Sequence, residues 1–216
     1  MRILHIISDP MPPEESVNKR IAGAFFDHVR EINPGIDIDE YDLYSLPPPF
    51  LDYNVYRYLW YPLSDPNYQP TPEETRAGEY VRQQCDRLAQ ADILALTAPV
   101  WNYSVPAILK AWIDMIIAPN YLYRFGESGP EAMHHLGCVV MFISSGGTML
   151  RNNARQSLLN HLQAPFQFVG VQDYKVVWAD GQNKSLYPDY RQREEKAIME
   201  SRLLAEEVAD YTRYQG

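Results

Sequence analysis

The chain has 216 residues, a length that fits one domain with insertions. Hydrophobic residues make up 46% and charged residues 22%, which is typical of a globular protein and excludes disorder as its main state. A formal charge of −9 at pH 7 argues against nucleic acid or an anionic membrane as a partner, since both favour a basic surface. Only two cysteines and a short N-terminal apolar stretch predict a cytoplasmic protein without disulfides or a signal peptide.

Five segments predict the strands of a parallel sheet: residues 2–8, 36–42, 92–98, 136–143 and 174–179. Four of them are apolar runs with few polar interruptions, the pattern of strands buried on both faces. The second alternates apolar and acidic residues, which favours a place at or near the sheet edge.

Helical patterns separate these strands. The first helix is predicted to begin after Ser16 as its cap and to turn an apolar face to the core, composed of Ile21, Phe25, His28 or Val29, and Ile32. Further helices are predicted near residues 71–89, 106–117, 152–168 and 188–214. The alternation predicts an α/β fold, a three-layer, doubly wound five-stranded parallel sheet in the flavodoxin-like order 2-1-3-4-5, as one domain over 1–216.

Residues 44–72 interrupt this alternation. The segment holds seven of the 17 prolines and six of the 16 tyrosines, and we interpret it as an insertion. Two readings stay open: a lid or interface cover, and an ordered surface excursion whose aromatic rings pack on the body.

Three segments follow strand ends at the edge where ligands of open parallel sheets bind. The first carries Ser8, Ser16 and Asn18 at a helix start, which suits a phosphate but equally a simple Ser16 cap; its lack of glycine excludes GxGxxG and Walker loops. The second, residues 99–103, places an amide between two aromatic rings, which suits a planar heterocycle. The third, residues 144–148, is either a backbone cradle for a flat ligand or a tight turn.

At this point the chain resembles the FMN-dependent NADH-azoreductase and quinone reductase family over nearly its whole length. Four ordered motifs carry the resemblance: Pro99-Val100-Trp101-Asn102-Tyr103 followed by Leu109-Lys110 and Asp114, Tyr123-Arg124-Phe125 followed by Gly129-Pro130-Glu131, Ser144-Ser145-Gly146-Gly147, and residues 168–173.

The resemblance implies an enzyme that binds FMN and uses NADH or NADPH to reduce quinones or azo compounds by a ping-pong mechanism. It implies a homodimer with Asn102, Tyr103 and Phe125 at the pocket and with hydride transfer at flavin N5, so that no side chain is a catalytic acid or base. The implied cofactor contacts are Ser8, Ser16 and Asn18 at the phosphate, Pro99, Val100, Trp101, Asn102 and Tyr103 along the ribityl chain and ring, and Ser144, Ser145, Gly146 and Gly147 at the pyrimidine edge.

The sequence departs from the family pattern at two places, and these departures leave a second function open. Glu15 stands beside the expected phosphate site, where an inward carboxylate weakens FMN binding and an outward one leaves the backbone N–H groups to bind it. Thr148, Met149 and Leu150 stand where family members often carry a histidine. The alternative function is a flavodoxin-like protein without reductase activity, either a flavin carrier or sensor or a cofactor-free interaction module. We predict no metal site, because adjacent His134 and His135 do not share a face.

Overall fold

The computed structural model describes residues 1–150 and 153–210. Its main sheet has five parallel strands in the order β2-β1-β3-β6-β7, and a separate two-stranded sheet is formed by β4 and β5. The strands are β1 (Arg2–Ile7), β2 (Asp37–Asp42), β3 (Ile93–Pro99), β4 (Tyr123–Gly126), β5 (Gly129–Ala132), β6 (Cys138–Ser144) and β7 (Asp173–Ala179). The helices are α1 (Val17–Ile32), α2 (Tyr53–Ser64), α3 (Pro72–Ala89), α4 (Ala107–Ile116), α5 (Ala154–Phe168) and α6 (Tyr190–Asp210).

The sheet is covered by helices on both faces, which confirms the predicted three-layer, doubly wound architecture. Ile3 on β1 packs with residues of α1 and α6, whereas its neighbour Leu4 packs with residues of α3 and α4 on the opposite face. Since successive strand residues point to opposite faces, both must be apolar here, which explains the continuous apolar run in the sequence. The edge position predicted for β2 is confirmed by the strand order.

The predicted helices agree with the structure to within two residues wherever their ends are described. Ser16 caps α1, its hydroxyl oxygen accepting a hydrogen bond from Lys19 N, as predicted. The predicted start at Asn152 and the predicted end at Tyr214 lie outside the described residues. The prediction for Ile32 was wrong: this last residue of α1 is 45% exposed, because the described core on this face of the sheet contacts α1 as far as Val29 and does not include Ile32.

Two elements of the structure were not predicted from the sequence. Helix α2 lies within residues 44–72, and the hairpin of β4 and β5 precedes β6. Helix α2 packs on α3, where the buried Glu74 carboxylate accepts from Arg57 Nε at 2.5 Å and from Tyr68 Oη at 2.6 Å. Hydrogen bonds from Tyr68, from the Thr71 N–H and from Arg57 lower the pKa of Glu74 to about 2, so that the ionised form stays paired. Among the described residues no helix is long and apolar enough to cross a lipid bilayer.

A buried histidine in β1 gives the stability of the protein a pH dependence. His5 is 4% exposed, its Nε2 lies 2.8 Å from Thr97 Oγ1, and burial lowers its pKa below the usual 6.5. The unfolded chain therefore binds a proton that the folded chain excludes, so the free energy of unfolding falls as the pH drops below about 6.5 towards the lowered pKa. We expect urea denaturation to show that the free energy of unfolding decreases less between pH 7 and pH 5 for His5→Gln than for the wild type. Equal losses in the two proteins would contradict this assignment.

Candidate active site

The three predicted segments meet at one edge of the sheet, beyond the carboxyl ends of β1, β3 and β6. Val100 N donates to Ser144 O at 2.8 Å, which joins the second segment to the third. Ser144 Oγ donates to Asn18 Oδ1 at 2.9 Å, which joins the third segment to the first across 126 positions of sequence. Parallel strand pairing thus assembles the site that the sequence placed in separate loops.

The end of the site that was predicted to bind a phosphate is built on the first turn of α1. Ser16 and Asn18 are buried there, and among the described residues Asn18 Nδ2 is a buried donor without a hydrogen-bond partner. Ser8 is also buried, but its hydroxyl donates to Thr97 O at 3.0 Å and so connects β1 with β3. A buried unpaired amide beside a helix N-terminus fits an anionic acceptor such as a phosphate.

The carboxylate at this end is Asp9, a residue that the sequence analysis missed. Asp9 is 2% exposed, and its Oδ2 accepts from Ser16 Oγ at 2.6 Å while its Oδ1 accepts from Met11 N at 2.9 Å. Glu15, the residue flagged instead, is exposed. The available signal was the position of Asp9 as the first charged residue after the β1 run.

Asn102 and Tyr103 form the centre of a two-residue turn. Trp101 and Ser104 exchange both backbone hydrogen bonds, at 2.8 and 3.0 Å, and the φ angles of Asn102 and Tyr103 are 51° and 65°. Two positive φ angles define a type I′ turn, which glycine and asparagine adopt easily but tyrosine does not. The tyrosine ring is 75% exposed, so the strained backbone presents an aromatic surface beyond the strand end.

The two glycines after β6 are not required by the backbone of the chain itself. Neither Gly146 nor Gly147 has a left-handed φ, and a Cβ added to Gly147 would meet no atom of the described residues within 4 Å. The interpretation of this segment as a tight turn with glycine dihedrals was therefore wrong. Within residues 1–150 and 153–210 neither glycine N–H donates to a protein acceptor. A bare backbone beside open space is a cradle that fits the edge of a flat ligand.

The loop that follows β7 completes this cradle. Gln182 N donates to Ser145 O at 2.9 Å and Asn183 N donates to Gly146 O at 3.1 Å, which holds the cradle from behind. A cavity of about 420 Å³ lies in front of it, lined by Val100, Asn102, Tyr103, Ser145, Gly146, Gly147, Thr148, Met149, Leu150 and Tyr187. The sequence analysis missed Tyr187, because the residue lies forty positions from the glycines it faces.

A second cavity of about 800 Å³ lies on the other side of the turn. It is lined by Tyr44, Phe50, Trp101, Asn102, Ser104, Val105, Pro106, Ala107, Ile108, Lys110, Ala111 and Asp114. Burial and then the charges of Asp9 and Asp42 raise the pKa of Tyr44, which keeps its phenol neutral. Pro99 is buried at the end of β3, and Phe125 lies on β4, 59% exposed and outside both cavities.

Comparison with known proteins agrees with this architecture. A protein family described as having a flavodoxin-like fold matches residues 1–203. The FMN-dependent NADH:quinone oxidoreductase of Methylorubrum extorquens (strain PA1) is 29% identical over 196 residues, covering 89% of this chain and 93% of the relative. FMN-dependent NADH:quinone oxidoreductase 2 of Bradyrhizobium diazoefficiens is 27% identical over 197 residues, with the same coverage.

Solved structures share the fold at lower sequence identity. The azoreductase from Bacillus anthracis str. Sterne superposes with a TM-score of 0.84 at 19% identity, covering 94% of this chain and 98% of that one. An FMN-dependent NADH-azoreductase from Bacillus anthracis str. Ames Ancestor, solved in complex with FMN, gives a TM-score of 0.78 at 22% identity and covers 96% and 99%. At sequence identities this low, the superpositions establish that the chain shares the flavodoxin-like fold and nothing further.

Proposed function

The chain belongs to the family described as having a flavodoxin-like fold, and from this membership we propose that it is an FMN-dependent oxidoreductase. Its reaction is the transfer of two electrons from NADH or NADPH to quinones or azo compounds. NADH:quinone oxidoreductase and NADH-azoreductase are the activities named for its relatives and structural neighbours. The observation that carries this proposal is the bare Gly146-Gly147 backbone facing a cavity of about 420 Å³ at the carboxyl edge of the sheet.

The residues at the sheet edge fit FMN along its length. Asn18 Nδ2 and the first-turn N–H groups of α1 would bind the phosphate, beside Ser8 and Ser16. The cofactor contacts we propose beyond the phosphate are Pro99, Val100, Trp101, Asn102 and Tyr103 along the ribityl chain and ring, and Ser144, Ser145, Gly146 and Gly147 at the pyrimidine edge. FMN supplies the hydride and electron chemistry of the reaction.

The chain contributes binding, orientation and electrostatics. The described residues that line the 420 Å³ cavity include two tyrosines, Tyr103 and Tyr187, but no carboxylate, histidine, lysine or arginine. We therefore assign no side chain as general acid or base. The N–H groups of Gly146 and Gly147 would stabilise negative charge at the ring edge. NAD(P)H and the acceptor would occupy one cavity in turn, which predicts ping-pong kinetics with parallel double-reciprocal lines.

Exposed aromatic rings surround the site and favour a homodimer with the active sites at the subunit interface. Phe50, Tyr103 and Phe125 are 80%, 75% and 59% exposed, and exposed apolar surface of this kind often marks an interaction site. We propose one domain over 1–216 in which the 44–72 insertion and Phe125 form walls of the pocket against flat acceptors. Since Phe125 lines neither cavity of the single chain, its part in this wall depends on the homodimer.

The test of the function is an absorption spectrum of the purified protein followed by anaerobic titration with NADH. We expect a flavin spectrum that NADH bleaches and that a quinone restores. A flavin spectrum that NADH leaves unchanged would point to a carrier or sensor instead. A colourless protein that takes up no added FMN would overturn the proposal in favour of a cofactor-free interaction module.

The strained turn predicts that replacing Tyr103 by glycine raises the stability of the protein but weakens substrate binding. We expect Tyr103→Gly to raise the free energy of unfolding by about 1 kcal/mol, because glycine adopts the left-handed φ without strain. We expect the KM for a quinone to rise about fivefold as an aromatic stacking contact worth about 1 kcal/mol is lost. Thermal denaturation and steady-state kinetics measure the two effects.

Asn120→Gly is the matched control, since Asn120 has a φ of 64° and lines neither cavity. Its KM should equal that of the wild type. A Tyr103→Gly protein with an unchanged KM would exclude the ring from acceptor binding.

A further inference from the structure

A buried carboxylate lies in the proposed phosphate site. Asp9 Oδ2 and Asn18 Oδ1 both lie near the Ser16 hydroxyl, at 2.6 and 3.1 Å. All three side chains are at most 2% exposed and belong to the first turn of α1 or the loop before it. A negative charge at a helix N-terminus is electrostatically favourable. Asp9 therefore already supplies part of the negative charge that a bound phosphate would place there.

Asp9 also reduces the number of donors that a phosphate can use. A hydroxyl has a single proton, and the shorter distance assigns the Ser16 proton to Asp9. The Ser144 proton goes to Asn18 Oδ1, and the Ser8 proton goes to Thr97 O. Of the side-chain donors predicted at this end, only Asn18 Nδ2 has no acceptor within the described parts of the chain.

Lys19 and Arg20, the two cations in the first turn of α1, form their hydrogen bonds with groups other than Asp9. Lys19 Nζ donates to Met11 O at 2.6 Å. Arg20 Nε donates to Glu194 Oε1 at 2.5 Å, and its Nη1 donates to the carbonyls of Pro13 and Glu14. The Asp9 charge would therefore act on a phosphate bound next to it, and the burial of Asp9 limits the screening of that charge by water.

We propose that Asp9 sets the preference of this site between phosphorylated and unphosphorylated flavin. Its charge repels the 5′-phosphate of FMN but not the hydroxyl terminus of riboflavin, to which a carboxylate can act as a hydrogen-bond acceptor. The site thus binds the two forms with more similar affinities than a cradle made only of donors. This inference rests on the proposed function and adds the residue that determines which flavin is retained.

The test is flavin binding by the full-length protein after removal of bound flavin. FMN and riboflavin are titrated separately, and quenching of flavin fluorescence gives each Kd. We expect Asp9→Asn to tighten FMN binding about tenfold or more and to change riboflavin binding less than about twofold. The asparagine oxygen still accepts from Met11 N or Ser16 Oγ, and thermal denaturation checks that the variant is folded.

Asp65→Asn is the matched control, because Asp65 is exposed and likewise accepts a hydrogen bond from a backbone N–H two residues on, at 3.0 Å. It should change neither Kd. The wild type gives a second readout: FMN binding more than about a thousandfold tighter than riboflavin binding would overturn the proposal. An unchanged ratio of the two Kd values in Asp9→Asn would overturn it as well. If neither wild type nor Asp9→Asn binds either flavin, the proposed function fails together with this inference.

Discussion

We expect Gly147→Leu to fold as the wild type does and to lose FMN affinity by about a hundredfold, equivalent to about 2.7 kcal/mol. A Cβ at this position meets no atom within 4 Å in the part of the chain that the structure describes, and the φ of Gly147 lies outside the left-handed region, so we expect the substitution to strain neither packing nor backbone. The leucine side chain instead enters the 420 Å³ cavity that Gly147 lines. It occupies the space proposed for the flavin ring and covers the glycine N–H groups.

The measurements are the flavin absorbance of the purified variant, its Kd for FMN and its thermal denaturation midpoint. Gly35→Leu is the control, since Gly35 is exposed beyond the end of α1 and meets only Asn33 Oδ1, at 3.7 Å. That variant should retain FMN fully. If Gly147→Leu retains FMN with wild-type affinity, the flavin ring does not lie against this loop.

The second large effect concerns the packing of the insertion on the body. We expect Gly78→Ala to lower the free energy of unfolding by about 1–3 kcal/mol. A Cβ at Gly78 would lie 2.2 Å from Tyr58 Cε1, and the ring cannot easily move because Tyr58 Oη is hydrogen-bonded to Tyr121 Oη. Helix α2 must then shift away from α3, which weakens the packing between the two helices.

Gly23→Ala provides the opposite result from the same chemical change. Gly23 also lies inside a helix, but its added Cβ meets nothing within 4 Å. Alanine loses less backbone entropy than glycine on helix formation, so this variant should gain about 0.5–1 kcal/mol. Urea denaturation of both variants separates the effect of helix propensity on the free energy of unfolding from the effect of packing. Stabilisation of both variants would show that α2 does not pack tightly on α3 in solution.

The two predictions depend on the same physical distinction between glycines. Gly78 is required because another part of the chain approaches its backbone, whereas Gly147 is not required by anything in the chain itself. The sequence shows both as a glycine and nothing more. The structure assigns the first to folding, and we attribute the second to ligand binding.

The site shows where sequence reasoning reaches its limit. The three strand-end segments could be predicted, because the carboxyl ends of parallel strands meet at one edge. The identity of the carboxylate at the proposed phosphate end could not be predicted, since Asp9 and Glu15 are both close to Ser16 in sequence. Only the path of the loop decides that Asp9 is buried against Ser16 and that Glu15 is exposed.

The sequence by itself predicted the five main strands and five of the six described helices, because apolar periodicity is local and strands buried on both faces have a distinct pattern. The strand order was predicted from the flavodoxin-like fold that this alternation of strands and helices indicates. The tertiary structure alone decided the contacts between distant segments. Examples are Ser144 with Asn18, Gln182 with Ser145, and Arg57 with Glu74 beneath an unpredicted helix. Such contacts depend on side-chain direction and distance after folding, and no periodicity in a single sequence encodes them.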